Sequence, residues 1–235
     1  MRTCNQFPEM PVAYELKLFA RAQNWKTYWA KSIAKYVRGS VAEVGAGIGA
    51  NAPFLLNENV TKLTLIEPEE QLFSLLSARE YSECVDKLHG TLRESRGVFD
   101  TIVYIDVLEH IRDDLLETSC VYEHLTKGGY FVILSPAWPF LYTPFDEAVG
   151  HYRRYTRSSL RQSVDSRFET VSERYLDSVG LLASLANKLF LRASAPSETQ
   201  IRAWDNLMVR ASAVVDPFLF FSMGKTIVGI YKKRY

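Results

Sequence analysis

"VAEVGAGIGA", Val41 to Ala50, sets an apolar run directly against three glycines at alternate positions, Gly45, Gly47 and Gly49, with one carboxylate, Glu43, inside the run. Such a stretch reads as a buried strand and a turn whose backbone can approach a ligand closely, because no Cβ intervenes and positive φ is easy for glycine. The same letters satisfy both G-x-G-x-G and the dinucleotide fingerprint G-x-G-x-x-G/A, the latter ending on Ala50. Charge separates the two readings. A pyrophosphate would be repelled by a carboxylate two residues before the loop, whereas a ligand with cationic groups would be held by it.

Outward from this loop, strands and helices alternate. "NAPFLLNEN" reads as a helix, "KLTLIEP" as a strand, "EEQLFSLLSARE" as a helix, "VDKLHG" as a short strand, "FDTIVYID" as a strand, "DDLLETSCVYEHLTKGG" as a helix and "YFVILSP" as a strand. Parallel strands need crossover connections, so the alternation predicts an α/β fold with helices on both faces of a parallel sheet. After Ser135, "PAWPFLYTPFDEAVGHYRRYT" is rich in proline and aromatic residues and too long for an ordinary turn, which predicts an irregular functional loop. "SSLRQSV" then reads as a helix, "FETVSERYLD" as a strand, residues 178–222 as a mostly apolar helical insertion and "KTIVGIYKK" as the last strand. Upstream, residues 12–37 carry apolar and aromatic residues near helical spacing without proline or glycine, the pattern of one or two amphipathic helices.

Lys and Arg number 28 against 27 Asp and Glu, so no bulk field draws the protein to nucleic acid and a charged partner must be recognised locally. Cys4, Cys84 and Cys120 have no metal or redox spacing and suit the reducing cytoplasm as buried thiols. The N-terminus lacks a signal pattern and no run of about 18 apolar residues occurs, so no transmembrane segment is expected.

With Glu43 two positions before its glycines, the chain resembles the class I S-adenosylmethionine (SAM)-dependent methyltransferases, whose first motif has this arrangement. The resemblance runs from Val41 to Ser135. It implies a Rossmann-like seven-stranded sheet of order 3-2-1-4-5-7-6 with the last strand antiparallel, N-terminal helices, and a helical insertion before the last strand. It also implies one domain over 1–235: a helical cap at 1–40, a SAM-binding core at 41–135, and the substrate loop, late strands and insertion at 136–235. In that family Glu43, Gly45, Ala46, Gly47 and Gly49 would cradle the cofactor, and Glu67, beside Pro68, would accept hydrogen bonds from both ribose hydroxyls. Gly90, Thr91 and Leu92 would lie beside adenine, although the Asp common there is missing. Asp106 and Val107 would complete the pocket, and the N-terminal aromatics Tyr14, Phe19, Trp25, Tyr28 and Trp29 would cap it or simply pack.

A methyl on a sulfonium is already activated, so the enzyme must align the acceptor and, for a hydroxyl, help remove its proton. The candidates sit where strands end: "DVLEHI" after the fourth and the 136–156 loop after the fifth. Asp106, Glu109 and His110, with His151 further on, resemble the metal-binding set of the ubiquinone-pathway catechol O-methyltransferases and the small-RNA 2′-O-methyltransferases, except that Asp106 stands where those families place Glu. The resemblance implies a divalent metal on these four residues; without one, His110 or His151 becomes the general base. The adjacent Arg153 and Arg154, followed by Tyr155, read as a clamp for a phosphate or carboxylate or as a solvated turn. Trp138, Phe140, Tyr142 and Phe145 read as a substrate wall or as core.

The sequence therefore points to methyl transfer from SAM to a small molecule, most simply at a hydroxyl of a sugar, catechol or polyketide-like acceptor. The rivals are C- or N-methylation of a secondary metabolite or lipid-linked substrate, an NAD-dependent oxidoreductase, which Glu43 and the lack of a Tyr-x-x-x-Lys pair disfavour, and a non-catalytic methyltransferase-like partner. The apolar segments "VGLLASLANKLF" and "VVDPFLFF" could close the substrate pocket, form a homodimer or touch a membrane peripherally.

Overall fold

The strand before the glycine loop lies at the centre of the sheet. β1 (Gly39–Val44) pairs in parallel with β2 (Val60–Glu67) on one side and β4 (Phe99–Ile105) on the other, in the computed structural model, which describes Leu16, residues 19–186 and residues 197–234. With β3 (Val85–His89), β5 (Leu125–Pro136), β6 (Phe168–Leu176) and β7 (Thr226–Lys233), the order is β3-β2-β1-β4-β5-β7-β6. β1 to β5 run parallel, and β7 lies antiparallel between β5 and β6. Strand order reverses between β1 and β4, and ligands of open α/β sheets bind at the carboxyl ends of the strands there. This is the seven-stranded, Rossmann-like fold expected.

Alternate residues of the central strands feed two cores, as period-two side chains must. Val41, Leu63, Leu65, Val103, Val132 and Val228 share one core with Trp25, Trp29 and Ile33 of α1 (Gln23–Ile33). Ala42, Val44, Ile102, Tyr104, Phe131 and Ile227 share the other with Val121 of α4 (Asp114–His124) and Leu160 of α6 (Arg157–Ser163). Between them come α2 (Ala52–Leu55), α3 (Glu70–Ser77) and α5 (Pro144–Ala148). α7 (Ser178–Ala186), α8 (Glu198–Ala203) and α9 (Val209–Phe218), the last two joined by a π-helical turn at Trp204–Met208, form the insertion.

The structure corrects several boundaries. α4 stops at His124 and β5 starts at Leu125, so "LTKGG" is strand, not the end of a helix. "NAPFLLNEN" forms one helical turn only, because Pro53 suits a helix start and little follows to extend it. The loop after β5 does contain regular structure: Pro144 sits in the first turn of α5, where its missing N–H is no loss, and Asp146 reaches back to the Thr143 backbone N–H at 2.8 Å. Trp29 is fully buried and Trp25 packs on Trp204, so both belong to the core, while Cys4 and Tyr14 lie outside the described residues. Among the described residues no helix is long and apolar enough to cross a membrane. Leu207, Val214, Phe218 and Phe220 of the insertion stand exposed.

Candidate active site

The glycine loop is held by the carboxylate at the end of the neighbouring strand. Glu67 is buried and accepts the Gly47 N–H at 2.7 Å on Oε2 and the Glu69 N–H at 2.9 Å on Oε1. Burial raises its pKa, and the two backbone hydrogen bonds oppose that rise. Gly45, Gly47 and Gly49 all have positive φ (68°, 55° and 73°), and a Cβ on Gly45 would stand 2.6 Å from Cγ2 of Val107. A larger residue at position 45 would therefore push into the end of β4.

Glu43 points into the same corner. It is 1% exposed, Asn51 Nδ2 donates to its Oε1 at 3.0 Å, and its Oε2 has no hydrogen-bond partner among the described residues. Behind it Lys26 of α1 donates to Asn51 Oδ1 at 2.6 Å, which links the N-terminal helix to the acidic residue through one amide. Burial pushes the Glu43 carboxyl up to about 7, against the Asn51 hydrogen bond and the charge of Lys26. A buried carboxylate oxygen without a donor is costly. An ammonium would satisfy this oxygen, so these residues fit SAM. Gly90 donates to the Glu67 carbonyl at 3.1 Å, Thr91 caps the short turn Leu92–Glu94, Leu92 is buried, and the Pro68 carbonyl faces His89 at 3.2 Å. This edge of the loop is thus shaped by backbone and by Phe73, stacked 4.7 Å from His89.

At the end of β4, Asp106 takes φ of 53° and its N–H bonds the Leu134 carbonyl at 2.9 Å. Asp106 and His110 are both exposed at the carboxyl end of β4. Crowding raises the Asp106 pKa against the charges of His151, Lys26 and Lys225. Burial, then the charge of His151, lowers His110 to about 4, so it is neutral at working pH.

The third element is the loop after β5. Asp146 is fully buried and collects the His151 Nδ1–H at 2.9 Å and two Arg154 donors, Nε at 2.8 Å and Nη2 at 3.0 Å. Burial alone would raise its pKa, but the hydrogen bonds from His151 and Arg154 hold it well below the usual carboxylate range. His151 therefore carries its proton on Nδ1 and turns Nε2 toward Glu109 Oε1, 4.0 Å away, with the His110 ring in edge contact at 4.6 Å. Glu109 is buried and accepts Ser135 Oγ on Oε2 at 2.9 Å, and its Oε1 has no hydrogen-bond partner among the described residues. Burial lifts its pKa well above normal, and the charge of Asp106 adds to this.

Glu109, His110 and His151 bring ligand-type atoms within 4.8 Å of one another. Asp106 stands outside that group, facing Lys26 and Lys225 as well as His151, so three of the four residues singled out for a metal converge. Arg153 donates to Asp114 at 2.6 Å and to the Arg112 carbonyl at 2.6 Å, and Arg154 is bound to Asp146; both hold the loop in place instead of standing free as a clamp. Tyr155 is buried with its hydroxyl on Asp114 at 3.0 Å. Trp138 bonds the Gly224 carbonyl at 2.7 Å and stacks on Tyr175 at 4.5 Å, and Tyr142 donates to the His151 carbonyl at 2.6 Å. Lys26, Asn51, Ser135, Asp146 and Lys225 escape the sequence reading. For Asp146 a signal existed, Thr-Pro-x-Asp as a helix start, but its partner His151 lies beyond the helix it caps.

Residues 17–171 match the model of a methyltransferase domain. Among solved structures, a geranyl diphosphate methyltransferase in complex with SAM superposes with a TM-score of 0.62 at 14% identity, covering 94% of this chain and 90% of that one. The methyltransferase bound to the Trm112 activator of Haloferax volcanii gives 0.62 at 13% identity, covering 95% and 96%. The [4+2]-cyclase SpnF gives 0.59 at 16% identity, covering 88% and 81%; at such identities the likeness is one of fold. No curated protein matches the chain in sequence. The family match over most of the chain, the sheet order and the carboxylate-flanked glycine loop agree, and the chain belongs to the class I SAM-dependent methyltransferases.

Proposed function

We propose that this enzyme methylates a hydroxyl of a small-molecule acceptor, with His151 taking the hydroxyl proton. The observation that carries this reading is the Asp146–His151 pair: a buried, ionised carboxylate fixes the imidazole tautomer and leaves Nε2 as the proton acceptor, on the side of Glu109 and His110. Bound beside Glu43, Gly45, Gly47 and Glu67, SAM supplies a methyl group already activated by its sulfonium. The chain's own tasks are then to orient the acceptor at the carboxyl ends of β4 and β5, to exclude water and to hold a base in line. His110, kept neutral, narrows the cleft beside His151 without adding charge.

A second reading has its own support. Glu109 Oε1, His110 and His151 would hold a divalent cation, with Asp146 behind His151 as the outer carboxylate that orients a ligand imidazole. That cation would acidify a bound hydroxyl in place of a base. Turnover of a panel of alcohols, phenols and amines, followed as S-adenosylhomocysteine (SAH) release, tests both. We expect hydroxyl compounds to be methylated and His151→Ala to lower kcat about 100-fold with SAM binding kept. Full activity in excess EDTA removes the metal, and full activity of His151→Ala refutes both roles for that residue.

A further inference from the structure

The last helix of the insertion is built inside out. Toward the protein, α9 turns Val209 and two polar residues, Ser212 and Asp216, both fully buried; toward water it turns Val214 and Phe218, with Leu207 of the preceding π-helical turn in line with them. The buried polar pair fixes this orientation. Asp216 accepts the Tyr28 hydroxyl at 2.7 Å, the Asp177 N–H at 2.7 Å and the Ser178 N–H at 3.1 Å, and Ser212 donates to Asp177 at 2.8 Å. Turning the apolar side inward would strand a carboxylate, so the fold keeps it outside. Leu207, Val214 and Phe218 follow one helical stripe, roughly 17 Å long at 1.5 Å per residue.

Beyond α9 the chain turns through Phe220 and Phe221, both at positive φ (51° and 53°), a conformation that aromatic residues rarely adopt. Hydrogen bonds enforce it: Phe221 donates to the Asp216 carbonyl at 2.9 Å, and its own carbonyl accepts the Tyr175 N–H at 3.0 Å and Arg157 Nη2 at 2.7 Å. The turn thus holds Phe220, 87% exposed, out beyond Phe218, 79% exposed, and Met223 of the same turn is exposed as well. A contiguous apolar ridge of this kind is unfavourable in water unless something covers it.

Cations edge the ridge. Arg174 of β6 lies over the Phe221 ring, 5.0 Å from its centroid, Arg157 holds the Phe221 carbonyl, and Arg210, about one helical turn from both Leu207 and Val214, donates to Asn24. Among the described residues none of these three pairs with a carboxylate, whereas Arg153, Arg154, Arg161 and Arg167 each do. From Asn206 to Lys225 the one carboxylate is the buried Asp216. An apolar ridge flanked by unpaired guanidinium groups and free of exposed acid complements an anionic bilayer, with apolar tips among the acyl chains and cations at the phosphates. A second copy of the chain complements it poorly, because a two-fold contact sets each ridge, and its cations, against themselves.

We propose that this ridge docks the protein on an anionic lipid surface, with Phe218 and Phe220 inserted below the headgroups. The turn that ends the ridge packs on the start of the 136–156 loop: Gly224 accepts the Trp138 indole at 2.7 Å, the Lys225 carbonyl accepts the Ala137 N–H at 2.8 Å, and Thr226 lies opposite Pro136 at the carboxyl end of β5. Lipid contact and the glycine loop therefore share one end of the sheet.

Co-sedimentation of the full chain with vesicles of phosphatidylcholine, alone or with about 30% phosphatidylglycerol, tests the proposal. Binding to the anionic vesicles should exceed binding to the neutral ones by at least about fivefold and should fall as salt is added. Phe218→Ser combined with Phe220→Ser changes side chains that stand largely in solvent, and should lower anionic-vesicle binding at least about tenfold. Arg174→Gln combined with Arg210→Gln should remove most of the preference for anionic lipid. Thermal unfolding of each variant shows that it is folded. A second readout needs no loss of binding: the indole added in Phe220→Trp should be quenched by brominated lipid beyond the quenching seen in wild type. Wild-type protein that stays in solution at about 1 mM anionic lipid, serine variants that bind as wild type does, or an indole in Phe220→Trp that brominated lipid leaves unquenched overturns the proposal. So does a wild type that dimerises through Phe218 and Phe220 and binds no vesicles, which would give the ridge to a second copy.

Discussion

Glu43→Gln should make the ligand-free protein more stable and leave it unable to hold its cofactor well. The Glu43 carboxyl is 1% exposed and burial raises its pKa from 4.5 to about 7. A raised acid pKa means that the fold binds the proton more tightly than the unfolded chain does, so stability falls as pH climbs from 4.5 through 7 and is level above. Two and a half units correspond to about 3 kcal/mol lost at pH 8, of which about 1 kcal/mol is already lost at pH 5. The neutral amide removes this penalty. Urea unfolding of both proteins without ligand should therefore give Glu43→Gln an advantage of up to about 3 kcal/mol at pH 8 that shrinks to about 1 kcal/mol at pH 5. The same burial drives cofactor binding: SAH should bind the wild type about 30-fold more weakly at pH 5.5 than at pH 8, because most Glu43 is protonated there, and Glu43→Gln should lose that pH dependence together with affinity. Calorimetry in buffers of different ionisation enthalpy counts the proton released. A stability difference that does not change with pH, or an SAH affinity in Glu43→Gln that still falls with acid, would refute the reasoning.

Two further substitutions probe the frame around the site. Glu67→Ala removes the acceptor of the Gly47 N–H and should weaken SAH binding by about 1–3 kcal/mol by calorimetry; unchanged affinity would take Glu67 out of the pocket. Arg154→Met leaves the buried Asp146 carboxylate without its two-pronged partner, so stability should drop by about 3–5 kcal/mol in urea, with the loss recovered in part in Arg154→Met with Asp146→Asn, where no charge remains unpaired.

A local pattern was enough for the fold and for the glycine loop with its two buried carboxylates. Val41 to Val44 and their neighbours alternate between two cores, the glycines at 45, 47 and 49 take the positive φ that only they adopt freely, and Glu43 and Glu67 lie at the carboxyl-terminal ends of β1 and β2, one residue before the end and at it. Each of those properties depends on residues within one strand and one turn, so periodicity and charge make them legible in the chain itself. The acceptor half is different. Arg153 and Arg154 read as a clamp because adjacent arginines suggest one, and only the folded loop brings them onto Asp114 and Asp146, residues 39 and 8 positions away. Asp106 reads as a partner of Glu109, His110 and His151 through the family set it resembles, but only the other three bring their ligand-type atoms together in the fold. Lys225 reads as the start of a strand, and only the antiparallel entry of β7 puts it beside the carboxyl ends of β5 and β6, where it pairs with the buried Asp177. Strand direction and long-range pairing are set by how the whole core packs, and no short stretch of sequence contains that information.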